Sequence, residues 1–182
     1  MTALRAVLGS SAEEAAPRLL GVHLVSEAGG VRTSVRLAEV EAYGPDDPAS
    51  HSFRGPTPRN EPMFGRPGLL YVYRSYGVHW CANVSTSAEG TGAAVLFRGG
   101  VAVVGAETMT MRRGGRSDLA NGPGKLCQAL AIDGSLSGLD LLDPSSPVRL
   151  EPGDPPVGFH STVRIGITRA TEKPWRFVSQ DR

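Results

Sequence analysis

Val31-Arg32-Thr33-Ser34-Val35-Arg36-Leu37-Ala38-Glu39-Val40-Glu41-Ala42-Tyr43 is the run whose reading decides the fold. Val31, Thr33, Val35, Leu37, Glu39, Glu41 and Tyr43 alternate with Arg32, Ser34, Arg36, Ala38, Val40 and Ala42, and a period of two predicts a long strand. The same period aims Glu41 toward the apolar side set by Val31, Val35 and Leu37, at the strand's C-terminal end. A carboxylate there is either costly or useful. Partial burial sharpens it as a base so long as a cation, Arg98 or His51, keeps it ionised. The competing reading of the pattern is a surface glutamate on a twisted edge strand.

Working outward, Gly29-Gly30 is a turn ahead of this strand. Further upstream, Ser11 and Glu14 have the spacing of a capping box, while Pro17 would equally open a helix ending at Gly21; either gives one short helix. Downstream, residues 44–67 hold six prolines and belong to an ordered functional loop. Residues 69–73 and 78–86 read as strands joined by a tight connection at 74–77, which makes a hairpin with Tyr76 and Gly77 at its tip. An exposed aromatic at such a tip can serve as a wedge. A strand over 93–97, a helix over 103–111 ended by Arg112-Arg113-Gly114, a helix over 123–131 opened by Asn121-Gly122-Pro123, and strands over 163–167 and 175–178 complete the pattern. Many strands with a few short helices place the chain in the α+β class.

The length of 182 residues suits a single domain over 1–182 with one core. With 19 Lys+Arg against 18 Asp+Glu the net charge is only +1, yet residues 51–116 carry +5, and every cation in that stretch is an arginine. The chain's 17 arginines and 2 lysines make the type uninformative, so the clustering alone carries meaning. Seven of the 11 aromatic residues fall between Tyr43 and Trp80, including all four tyrosines. Arginines interleaved with aromatics suit a phosphate backbone and stacked bases, although a tyrosine-rich core strand has the same composition.

Cys81 and Cys127 stand far apart, outside any metal-binding or disulfide framework, and read as buried thiols. Glu41, Asp46, Asp47 and His51 offer the residue types of a metal-dependent hydrolase, but Asp46 and Asp47 suit a turn and no ligand spacing is present; no metal and no cofactor are expected. No apolar run approaches the ~20 residues of a membrane span and no signal peptide is visible, so the expectation is a cytoplasmic protein without membrane contact.

Several segments, in order, resemble one family. They are Glu41-Ala42-Tyr43, the run from Gly44 to His51, Thr57-Pro58-Arg59-Asn60, Met63-Phe64, Tyr71-Val72-Tyr73 with Tyr76-Gly77, Cys81 with Asn83, and the run from Gly122 to Leu130. Together they look like the alkyladenine DNA glycosylases, also called 3-methyladenine or N-methylpurine glycosylases, over about Leu19 to Phe177. The resemblance implies a curved, mostly antiparallel sheet with short surrounding helices and a hairpin projecting toward DNA. It also implies a monofunctional base-excision repair enzyme that flips a damaged purine out of duplex DNA and hydrolyses its N-glycosidic bond.

By the same resemblance, Glu41 is the general base and Arg98 its neighbouring arginine. Tyr43, His51 and Tyr73 enclose the flipped base, Asn83 screens guanine's exocyclic amine, and Tyr76 fills the gap left in the stack. Arg59, Met63, His79 and Lys125 fall where the family approaches DNA. The expected partner is double-stranded DNA containing damaged purines, bound by a monomer without an obligate protein partner. The alternative is a damaged-DNA or RNA binding domain without catalysis, which would have little use for a carboxylate facing phosphates.

Overall fold

The computed structural model describes residues 2–181. Its elements are α1 (Thr2–Leu8), α2 (Ala12–Arg18), β1 (His23–Ser26), β2 (Thr33–Tyr43), α3 (Glu61–Phe64), β3 (Leu70–Ser75), β4 (His79–Thr86), β5 (Ala93–Val104), α4 (Ala106–Arg112), α5 (Pro123–Ala129), β6 (Val148–Glu151), β7 (Phe159–Thr162) and β8 (Arg176–Ser179). The strands form one curled antiparallel sheet in the order β3-β4-β5-β2-β1-β6. β8 pairs with the second half of β2 and carries β7 on its other side. With its few short helices the molecule is α+β, as expected.

β2 departs from the strict alternation of its sequence. Its pairing with β5 shifts register around Glu39, and on either side of the shift different residues point into the core. Val35 and Leu37 are buried in the main core before it, Val40 and Ala42 after it, a spacing of three where a regular strand allows two or four. Glu41 is therefore not on the face of Val35 and Leu37. The bulge turns it, with Glu39 and Tyr43, to the opposite side of the sheet from Val40 and Ala42.

That opposition organises the molecule. One face of the central strands, with Val40, Val72, Val84 and Phe97, packs into the main core, where α2 meets β2 and α5 meets β4 and β5. The other face presents Tyr71, Tyr73, Cys81, Asn83, Leu96 and Arg98 to a cavity. Both faces of a buried strand must be covered, and here the cover on the second side is loop rather than helix.

Sequence expectations at the element ends are corrected in three places. α2 begins at the Ser11–Glu14 capping box and carries Pro17 inside it, one residue from its end, so the helix does not open at Pro17. β5 continues through Val104, so the helix expected over 103–111 starts at Ala106. Gly105 makes that turn at φ +77, and a Cβ there would lie 2.8 Å from the Arg32 carbonyl oxygen. Residues 163–167 are not a strand; β7 precedes them, and they run as irregular chain over the cavity.

The long loop over 44–67 is ordered by its own polar side chains, with α3 as its only regular turn. Asn60, 3% exposed, donates through Nδ2 to the carbonyls of His51 at 2.9 Å and Gly55 at 3.2 Å, while its Oδ1 accepts from the Thr57 amide. Ser52 Oγ donates to the Gly92 carbonyl. These bonds replace the ladder that prolines forbid, and they fix the stretch that carries His51, Arg59 and Met63.

Candidate active site

One row of residues crosses four strands side by side: Tyr71 on β3, Asn83 on β4, Leu96 on β5 and Glu41 on β2. Tyr71, Asn83 and Leu96 of that row line a cavity of about 720 Å³. Tyr43, His51, Arg59, Met63, Tyr73, Tyr76, Asn83 and Arg98 all line it, so eight residues singled out from sequence converge in one place.

Glu41 lies just behind that lining and is fully buried. Its Oε1 accepts the Ile165 amide at 2.8 Å; its Oε2 accepts the Tyr43 hydroxyl at 2.9 Å and Arg98 Nη1 at 3.4 Å. All three are donors, the complement of a carboxylate that only accepts, and about one of its roughly four acceptor positions is left over among the described residues. Arg98 is thus the cation at this carboxylate. It also donates through Nε to Glu39 Oε1, which accepts Arg176 Nε as well at 2.7 Å. Burial pushes the Glu39 carboxyl up, but Arg176 and Arg98 more than offset it and hold it below the ordinary range.

His51, the other cation considered, is placed elsewhere. Its Nδ1 lies 2.9 Å from the Tyr71 hydroxyl and its ring meets Tyr73 edge-on at 4.4 Å. Burial, and then the Arg59 charge, lower its pKa, which favours the neutral ring. Tyr71 and Tyr73 stack at 5.6 Å, and the Arg59 guanidinium lies 5.7 Å over Tyr73. Burial first, then Glu41, raises the Tyr43 phenol well above its usual range, so it stays a donor. Asn83 donates through Nδ2 to the Tyr71 carbonyl at 3.0 Å, which fixes which end of its amide points away from β3. Met63 packs with Tyr71 and Ala94 beneath this aromatic wall.

Tyr76 stands at the hairpin tip with φ +49 followed by Gly77 at φ +68, the first two residues of the three-residue connection between Ser75 and His79. Its side chain is 89% exposed at the cavity rim. His79 and Lys125 do not line the cavity. His79 is exposed beside Gly124 at the start of α5, and Lys125 Nζ is engaged by Asp118 at 2.7 Å and Asn121 at 2.8 Å.

Arg164 and Ile165 were missed by sequence reasoning because 163–167 looked like an ordinary apolar strand. Ile165 supplies the amide to Glu41. Arg164 and Asp47 form a fully buried ion pair, so Asp47 is more than a turn residue. Among the described residues no three His, Cys, Asp or Glu side chains converge as metal ligands. Cys81 and Cys127 are buried free thiols.

Comparison with known proteins gives the family. The family model for methylpurine-DNA glycosylase matches residues 6–182. Relatives carrying the name "Putative 3-methyladenine DNA glycosylase" include one from Mycobacterium tuberculosis H37Rv, 50% identical over 89% of this chain and 82% of its own. Another, from Rhodopseudomonas palustris HaA2, is 47% identical over 95% of this chain and 84% of its own. A third, from Rubrobacter xylanophilus, is 47% identical over 88% and 84%. The chain belongs to the methylpurine-DNA glycosylase family and is a DNA repair hydrolase of N-glycosyl bonds.

Proposed function

We propose that the protein removes alkylated purines, 3-methyladenine among them, and deaminated purines from duplex DNA by flipping the nucleotide into the cavity and hydrolysing its N-glycosidic bond. The observation that carries this reading is Glu41, a buried carboxylate with one acceptor position to spare, directly behind a cavity walled by Tyr43, Tyr73 and His51. A water on that position attacks C1′ as the C1′–N bond breaks. The purine leaves with the bonding electron pair, Glu41 takes the water's proton, and free base and abasic site result.

A purine alkylated at N3 or N7 is already a good leaving group because it is cationic, so the site has little need of acid catalysis. It needs a dry cavity, a placed water and a base. Tyrosine faces attract such rings by roughly 0.5–2 kcal/mol, which favours damaged over normal purines. Flipping costs a few kcal/mol, least where pairing is weak. Tyr76 fills the gap in the stack, Asn83 meets the base edge, and Arg59, Met63, His79 and Lys125 approach the strand. The protein acts as a monomer with no cofactor.

Single-turnover excision from duplexes bearing 3-methyladenine, 7-methylguanine, hypoxanthine or 1,N6-ethenoadenine, read as alkali-labile abasic sites, tests the reading. Base release that persists in EDTA is expected. Absence of release from every duplex, or its abolition by the chelator, overturns it.

A further inference from the structure

The aromatic wall of the cavity has a charge built into its rear. Arg164 does not reach the cavity; its Cζ lies 4.7 Å from the Tyr43 ring centroid and 5.3 Å from that of Trp175, so the guanidinium is held against both rings. Both members of the Arg164–Asp47 pair are wholly shielded from solvent. Asp47 binds both terminal nitrogens of Arg164, and those nitrogens also donate to the carbonyls of Ala42 at 3.0 Å and Ala170 at 3.2 Å. Arg164 Nε has no partner among the described residues. Asp47 Oδ1 in turn accepts the Ala49 amide at 3.1 Å.

A ring that binds a cation on one face while touching a cation on the other works against itself. A lesion in contact with the cavity side of Tyr43 would lie about 8 Å from the guanidinium, a separation at which an uncompensated charge in a protein interior still repels noticeably. Arginine cannot shed its proton to escape this. The carboxylate of Asp47 removes the problem by cancelling the charge while leaving the guanidinium in place as a rigid backing for the ring.

We propose that Asp47 is a specificity-determining residue: by neutralising Arg164 behind Tyr43, it keeps the aromatic wall receptive to positively charged purines over neutral ones. This rests on the excision function proposed above, and it concerns selection within that function. Asp47 touches no substrate; it acts through Arg164 and Tyr43.

The test is a ratio, which a simple loss of structure does not move. Dissociation constants are measured for two duplexes, one carrying 7-methylguanine on a 2′-fluoro sugar that resists cleavage, the other its neutral counterpart 7-methyl-7-deazaguanine. Asp47→Asn leaves a fixed buried cation and should weaken binding of the cationic lesion relative to the neutral one by a factor on the order of ten. Asp47→Asn combined with Arg164→Gln removes both charges and should return the ratio to within about twofold of the wild type. Should Asp47→Asn fold poorly, Asp47→Ser leaves room for a water on the guanidinium and carries the same comparison.

An unchanged ratio in the single variants, or a shift that the double variant keeps, overturns the proposal. Failure of the wild type to excise any alkylpurine on a natural sugar would instead overturn the function it rests on, so the two are told apart.

Discussion

His51 meets the Tyr73 ring edge-on, and partial desolvation there, followed by the Arg59 charge, lowers its pKa. A base whose folded pKa is depressed stays neutral in the native state while the unfolded chain still takes up protons near pH 6.5. The stability that depends on neutral His51 is therefore present above about pH 6.5 and lost as pH falls through the lower folded value. Excision of cationic lesions should fall over the same acid range, because a protonated His51 repels them. A pH–rate profile for His51→Gln should lose that acid limb; an identical limb in the variant would assign it to another group. Arg98 offers a second test on this scale. Removing it leaves Glu39 and Glu41 short of a shared cation, and breaking a buried pair costs about 3–5 kcal/mol. Arg98→Gln should lower both the melting temperature and the excision rate, whereas retention of full stability would show that Arg176 alone suffices for Glu39.

At the scale of elements, the β3–β4 hairpin places a tyrosine where the backbone is left-handed, a conformation that costs a residue with a Cβ roughly 1 kcal/mol. Asparagine tolerates that conformation better, so Tyr76→Asn should fold as stably as the wild type or slightly more so. Excision should nonetheless drop, with binding to lesion duplex weakened more than binding to undamaged duplex. Equal weakening on both would remove the wedge role from Tyr76. This hairpin was legible in sequence because alternation, a Tyr-Gly tip and a matching return strand all agree over 69–86. β2 was legible as a strand and misread in its faces, since the glycines at the bulge near Glu39, Gly99 and Gly100, stand on the partner strand β5 and leave no mark within β2 itself. Glu41 was thus found for a reason that the structure corrects. β1, β6 and β7 are four residues each, too short for a period to register; β1 pairs with β2, β6 with β1 and β7 with β8. The ladder partners that bring Asn83 and Leu96 beside Glu41 are separated widely in sequence, and no local pattern reports them.

Across the whole molecule, near-neutral charge with a basic middle stretch means that few phosphates can be engaged. Arg98 and Lys125 are already committed to carboxylates within the fold. Log–log plots of lesion-duplex affinity against salt should accordingly have a shallow slope, well short of the value for ~8–10 phosphate contacts. A slope of that size would contradict the limited contact surface. The Arg164–Asp47 pair belongs to this scale too, because it ties the proline-rich loop to the irregular chain over 163–170. Neither partner announces the other in sequence, being more than a hundred positions apart.

Everything in the proposed chemistry converges on the carboxylate behind Tyr43, and Glu41→Gln removes its charge while keeping its shape. Single-turnover excision and lesion-duplex binding, measured side by side on this variant, test that most directly. Binding close to wild type is expected, with base release reduced by a factor of about 10² or more. Undiminished release from the glutamine variant would contradict it.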